Sequence, residues 1–286
     1  MARNGSSVER HAGRAAVKAS PWIERLARVG YVAKGAVYAV IGFLALREAL
    51  GLGGETTGPS SAFRSIGSQP FGSLMVALLA AGLAGYALWK LVQGIMDPDE
   101  KGSDAHGILR RVGYVGSGVI HGGLAVLAAQ SIFGAEDSSE DAMTASAMAL
   151  QPPLGPILVG LVGLIVIGVG LYQLYAAFEA KFLPELKLDR MGDLQERWVT
   201  FAGRVGTTAR AIAIGVAGAF LVLAAYQSDP SETRGLGEAL ESIQHRPLGP
   251  YMLGTIAVGL LLYGAFMFAV ALYRRIEPAR GERDLG

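Results

Sequence analysis

Residues 28–46 read RVGYVAKGAVYAVIGFLAL. Arg28 and Lys34 are its charged residues, and the run is about as long as the ~20 apolar residues that cross a bilayer core. The opening returns at 111–129 as RVGYVGSGVIHGGLAVLAA and at 204–222 as RVGTTARAIAIGVAGAFLV. Lys34, Ser117 and Arg210 therefore occupy one register position, six residues after the arginine of each copy. Three copies of an apolar, helix-length segment predict an all-α membrane protein built by duplication.

A second marker alternates with the first. Pro70-Phe71-Gly72, Pro153-Leu154-Gly155 and Pro247-Leu248-Gly249 follow their arginines by 42, 42 and 43 residues. Nineteen residues beyond each proline stands an aromatic: Trp89, Tyr172 and Phe266. Each copy thus reads as two spans joined by an outer loop, with the proline in the first turn of the second helix, where a missing N–H costs nothing. The spans fall near 30–50, 71–95, 112–133, 154–178, 205–227 and 250–273. Phe63 with Ile66, and Leu236 with Leu240 and Ile243, recur at helical spacing ahead of the proline, predicting short helices lying on the outer membrane surface.

Composition agrees. Over 286 residues 51% are hydrophobic, 17% are charged and 40 are glycine, against about 25% charged in soluble domains. Small residues let membrane helices approach closely, and Gly118 with Gly122, Ala81 with Gly85, and Thr255 with Gly259 are the expected contact pairs. A net charge of +1 argues against nucleic acid as a partner. With no cysteine, thiolate metal sites and iron–sulfur clusters are excluded. His11, His106 and His245 lie outside the spans, so no second axial histidine matches His121 for haem. No metal or cofactor is expected.

Lysine and arginine concentrate before span 1, between spans 2 and 3, between 4 and 5, and after 6, while residues 134–153 carry none. By the positive-inside rule both termini are cytoplasmic, in the plasma (inner) membrane. The expected units are a flexible cytoplasmic tail over 1–20, hairpin repeats over 21–100, 101–183 and 184–277, and a second tail over 278–286. Repeats of one orientation are related by an axis along the membrane normal, so the expected arrangement is a pseudo-threefold bundle.

The triple Arg-Val-Gly, the Pro-x-Gly between copies and the stretch Gly170-Leu171-Tyr172-Gln173-Leu174-Tyr175 resemble the bacterial membrane-protein family catalogued as domain of unknown function 1206. The resemblance covers about residues 21–277. In the third copy Thr207 and Thr208 replace the Gly-Tyr-Val continuation. It implies a six-span, three-repeat membrane protein and brings no activity, substrate or catalytic residue.

The polar residues inside the spans are the candidate binding set: Lys34, Tyr38, Ser117, His121, Gln173 and Arg210. Lys34 and Arg210 sit about 9 Å beyond the arginine that opens each repeat. At that depth a long cation can snorkel to the headgroups, and this is the expected state, with anionic lipid phosphate as neighbour and Lys34→Gln nearly neutral. The alternative turns both inward to make a positive pocket. Lys90 and Glu179 are expected at the interface, and Gln173 deeper, beside a partner helix. Ser117 and His121, at i, i+4, also evoke a nucleophile and base, but Val115-Gly116-Ser117-Gly118 lacks the first glycine of the rhomboid-protease pattern. No catalytic residue is assigned. The function expected is a structural or helper component of the bilayer. The alternative is a small-solute transporter or channel using a cytoplasm-facing cavity, and the third reading is an intramembrane hydrolase.

Overall fold

The computed structural model describes residues 5–52, 58–97, 104–133, 155–227, 240 and 247–275, with side chains of the first helix described from Glu24. Among the described residues run seven α-helices, α1 Gly5–Ala49, α2 Pro59–Gly67, α3 Gly72–Met96, α4 Ala105–Ile132, α5 Gly155–Phe178, α6 Asp193–Gln227 and α7 Gly249–Tyr273, with two short 3-10 turns between α5 and α6. All but α2 contain stretches long and apolar enough to cross a membrane. The segment 5–20, expected as a separate tail, continues α1 as helix. Leu236 and Ile243 lie outside the described residues.

Local chemistry accounts for the helix ends. The Asp104 side chain accepts from the Gly107 N–H at 3.2 Å and caps α4, supplying a partner for an N–H that the helix cannot satisfy. The Pro-x-Gly marker works differently from the expectation. Pro70 and Pro247 precede the caps, while Phe71 and Leu248 are the N-caps, held left-handed at φ 62° and 64°. Gly72 follows because a Cβ there would meet the Gly67 carbonyl oxygen at 2.2 Å. The prolines that do occupy first turns are Pro59, Pro156 and Pro250.

The helices pack by repeat. The most extensive interfaces join the second helix of one copy to the first of the next: α3 with α4, α5 with α6, and α7 with α1. One register position recurs in all three. A Cβ on Gly35 would lie 3.0 Å from the Gly264 oxygen, one on Gly118 3.1 Å from the Ala87 oxygen, and one on Gly170 3.0 Å from the Ala211 oxygen. Of the small residues expected at contacts, Gly118, Gly85 and Gly259 lie at interfaces. Ala81 and Thr255 face outward.

Within copies, α1 packs on α3 and α6 on α7, but α4 and α5 share no interface of that rank. The helices thus follow one another as α4, α3, α1, α7, α6, α5, and the ring expected from three equal hairpins is open between α4 and α5. Glycine marks the difference. A Cβ on Gly30 would come within 2.6 Å of Tyr86, and one on Gly206 within 2.5 Å of Tyr263, whereas nothing lies within 4 Å of Gly113.

Helix α2 buries Phe63 and Ile66 against α1, α3 and α4. By contrast Leu158, Leu161, Val162, Leu164 and Ile165 of α5 are all exposed. Apolar surface on that scale suits lipid rather than water.

Candidate functional site

The arginine that opens each repeat is the first site residue, because it fixes the register of the rest. Arg111 donates from Nε to the Gly94 carbonyl and from Nη2 to the Ile95 carbonyl, each at 2.9 Å. Arg28 does the same one interface along, donating from Nη1 to the carbonyls of Ala271 and Leu272. Both satisfy carbonyls that the last turn of a helix leaves without partners, and both place positive charge at its negative end.

One and a half turns deeper lies a layer of cations, of which Lys34 and Lys90 are buried and Arg210 is half-buried. Lys34 is 5% exposed and Lys90 7%. Lys34 Nζ donates to Tyr86 Oη at 3.0 Å and stands 4.6 Å from that ring's centroid. Lys90 Nζ donates to Gln93 Oε1 at 2.8 Å and lies 4.4 Å from the Tyr114 ring. Arg210 donates from Nε to Tyr38 Oη at 2.8 Å and from Nη1 to Gln173 Oε1. Its guanidinium stands 5.4 Å from the Tyr38 ring and 5.3 Å from the Tyr263 ring. Neither Lys34 nor Arg210 snorkels. Aromatic faces and neutral oxygens hold both cations inside the protein, and each such cation–π contact is worth about 0.5–2 kcal/mol.

Six helices supply this layer: α1, α3, α4, α5, α6 and α7. Among the described residues the charges that act on Lys34 are Arg210, Lys90 and Arg274, all cationic. Arg274 pairs with Glu185 at 2.9 Å. That pairing comes from the α5–α6 connection, whose backbone docks on the end of α7 through Lys187 N–H to Tyr273 O and Arg275 N–H to Glu185 O, both 2.8 Å.

His121, on α4, adjoins Tyr86. Its ring centroid is 4.5 Å from that of Tyr86, the copy of which, Tyr263, is 4.9 Å from Tyr38 in the equivalent interface. Nδ1 lies 2.7 Å from the Ser117 carbonyl oxygen and 3.5 Å from Ser117 Oγ. A carbonyl only accepts, so Nδ1 carries the proton and cannot serve as base for the Ser117 hydroxyl. The nucleophile–base arrangement is not formed. Nε2 is buried and without a partner.

Of the predicted set, Lys34 lies between the rings of Tyr86 and Tyr263, and Tyr38, Gln173 and Arg210 form one hydrogen-bonded group. Ser117 contributes its backbone oxygen. Lys90 is buried, not interfacial. Tyr86 and Tyr263 were not singled out from the sequence, although each stands sixteen residues after its proline. Among the described residues no group of histidine and carboxylate side chains could hold a metal. A cavity of about 180 Å³ lined by Phe63, Arg64, Ser73 and Ser131 lies at the opposite, Pro-x-Gly end.

A family model described as Domain of Unknown Function (DUF1206) matches the chain three times, at residues 29–97, 112–180 and 205–274. These segments are the three hairpins. An uncharacterized protein of Bacillus subtilis (strain 168), YxxB, is 32% identical over 268 residues, covering 94% of this chain and 97% of the relative. No solved structure matches.

Proposed function

The chain belongs to the family described as Domain of Unknown Function (DUF1206), and from its buried cations we propose that it is an anion-binding protein of the plasma membrane. The observation that carries this is Arg210, held in the layer of Lys34 and Lys90 with a tyrosine oxygen and an amide oxygen as its partners. Those acceptors satisfy N–H groups without cancelling charge. Guanidinium stays protonated in proteins, and a charge partly withdrawn from water without a counter-charge is costly. An anion seated between Lys34 and Arg210 removes that cost. The positive-inside rule supports an orientation with both termini in the cytoplasm and the layer in the cytoplasmic half of the bilayer. The ligand chemistry is a phosphate or carboxylate, from a lipid headgroup or a cytoplasmic solute. This makes the helper reading specific: the protein holds an anion within the bilayer.

Native mass spectrometry of the purified protein with added dioleoyl phosphatidylglycerol, and separately with inorganic phosphate, tests it. The wild type retains one of the two anions, while Lys34→Gln and Arg210→Gln each weaken it by about tenfold or more, as loss of a charge-assisted hydrogen bond requires. Equal binding by wild type and both variants overturns the proposal.

A further inference from the structure

His121 is 3% exposed, and its two nitrogens differ in state. Nδ1–H is committed to the Ser117 carbonyl at 2.7 Å. In the neutral ring Nε2 is then a lone-pair acceptor, and it is buried with nothing donating to it. A second proton on the ring would add another positive charge beside Lys34. Buried acceptors ordinarily find a donor, and leaving one unmade forfeits a hydrogen bond. The groups around it cannot easily turn to it. Tyr86 packs ring against ring on His121 while its hydroxyl oxygen receives Lys34, and the Ser117 hydroxyl lies on the Nδ1 side.

The same tyrosine therefore adjoins both a ring with a bare acceptor and a cation. Resting on the anion-binding reading above, we infer that His121 determines specificity: its Nε2 accepts a hydrogen bond from a hydroxyl carried by the anion that Lys34 holds. The ligand class is a hydroxyl-bearing phosphate, such as a glycerophosphate headgroup or a soluble polyol phosphate. Helix α4 stands at one end of the helix row, so displacement of a single helix opens His121 without parting α1 from α7. An anion lacking a hydroxyl satisfies the cations and leaves Nε2 bare.

Matched ligand pairs test this on the full chain in phosphatidylcholine nanodiscs. Phosphatidylglycerol and phosphatidylpropanol share a charge and a three-carbon headgroup and differ in the hydroxyls; glycerol 3-phosphate and propyl phosphate form the soluble pair. Wild type binds the hydroxyl member of one pair about tenfold more tightly, and which pair responds identifies lipid or solute as the source. His121→Phe retains anion binding and loses the preference. Nitrogen-15 histidine spectra supply a readout on the unaltered chain, in which the His121 Nε2 resonance shifts with the hydroxyl ligand and not with its propyl counterpart. Equal wild-type affinities within both pairs, or a preference that survives in His121→Phe, overturn the inference while leaving anion binding intact. Failure of all four anions to bind sinks the anion-binding reading, and this inference with it.

Discussion

Arg111 Nε donates to the carbonyl oxygen of Gly94, seventeen residues earlier in the chain, at 2.9 Å. Arg28 makes the equivalent bonds to the end of α7, so the first letter of the repeated motif is a clamp between one copy and the last turn of its neighbour. Arg204, the third copy, is exposed. Removing Arg111 strands two helix-terminal carbonyls; Arg111→Ala is expected to cost about 1 kcal/mol, the low end for hydrogen bonds to a charged group because the site is partly solvated. Arg204→Ala should stay within about 0.5 kcal/mol of wild type. Thermal unfolding in detergent compares the two, and equal losses would contradict the clamp.

Glycine in the same motif has different work in different copies. Gly30→Ala and Gly206→Ala force a methyl into the backbone of Tyr86 and Tyr263, and each should lower stability by about 1–3 kcal/mol, the usual cost of overpacking. Gly113→Ala meets open space and gains about 1 kcal/mol of helix propensity. The unfolding midpoints should move in opposite directions. A destabilised Gly113→Ala would show α4 and α5 closing on each other.

For Lys34 the inward geometry reverses the expectation of a neutral replacement. Lys34→Met removes a buried cation and fills the space with a side chain of similar length. Ligand-free protein should become more stable by about 1–3 kcal/mol, as when buried charges are replaced by apolar residues. Anion affinity should fall. Chemical denaturation of delipidated protein measures the first effect, and a destabilised, anion-free Lys34→Met would show that the cation belongs to the fold rather than to a ligand.

Topology is open to a direct check because the chain has no cysteine of its own. Single cysteines at Ser139 and Ser103 should be labelled from outside and from inside, respectively, by a reagent that does not cross the membrane. Labelling of the Ser103 position from outside would invert the orientation and put the cation layer in the outer half of the bilayer.

Much of the fold is legible in one dimension. Span length, the Arg-Val-Gly and Pro-x-Gly registers and the apolar content depend on rise per residue and on the cost of unpaired backbone in lipid, and both are local. The expected span at 71–95 and the helix Gly72–Met96 differ by one residue at each end. What could not be read is where side chains point. Lys34 and Arg210 are long enough to snorkel or to turn inward, and their sequence neighbours do not distinguish the two. The choice is made by Tyr86 and Tyr263, from α3 and α7, which offer ring faces and, from Tyr86, a hydroxyl oxygen.

Residue order alone specifies six apolar helices in three copies, with a cation and a histidine at set positions along them. That the first helices of the copies pack unequally emerges from the fold. Gly113 reads like Gly30 and Gly206, yet it has no neighbour within 4 Å, because residue 169 in its partner register is a valine where the other copies carry Tyr86 and Tyr263. A glycine notch gains packing only when a large side chain fills it. Without that filling α4 and α5 part, and α4 remains at the end of the helix row with His121 on it.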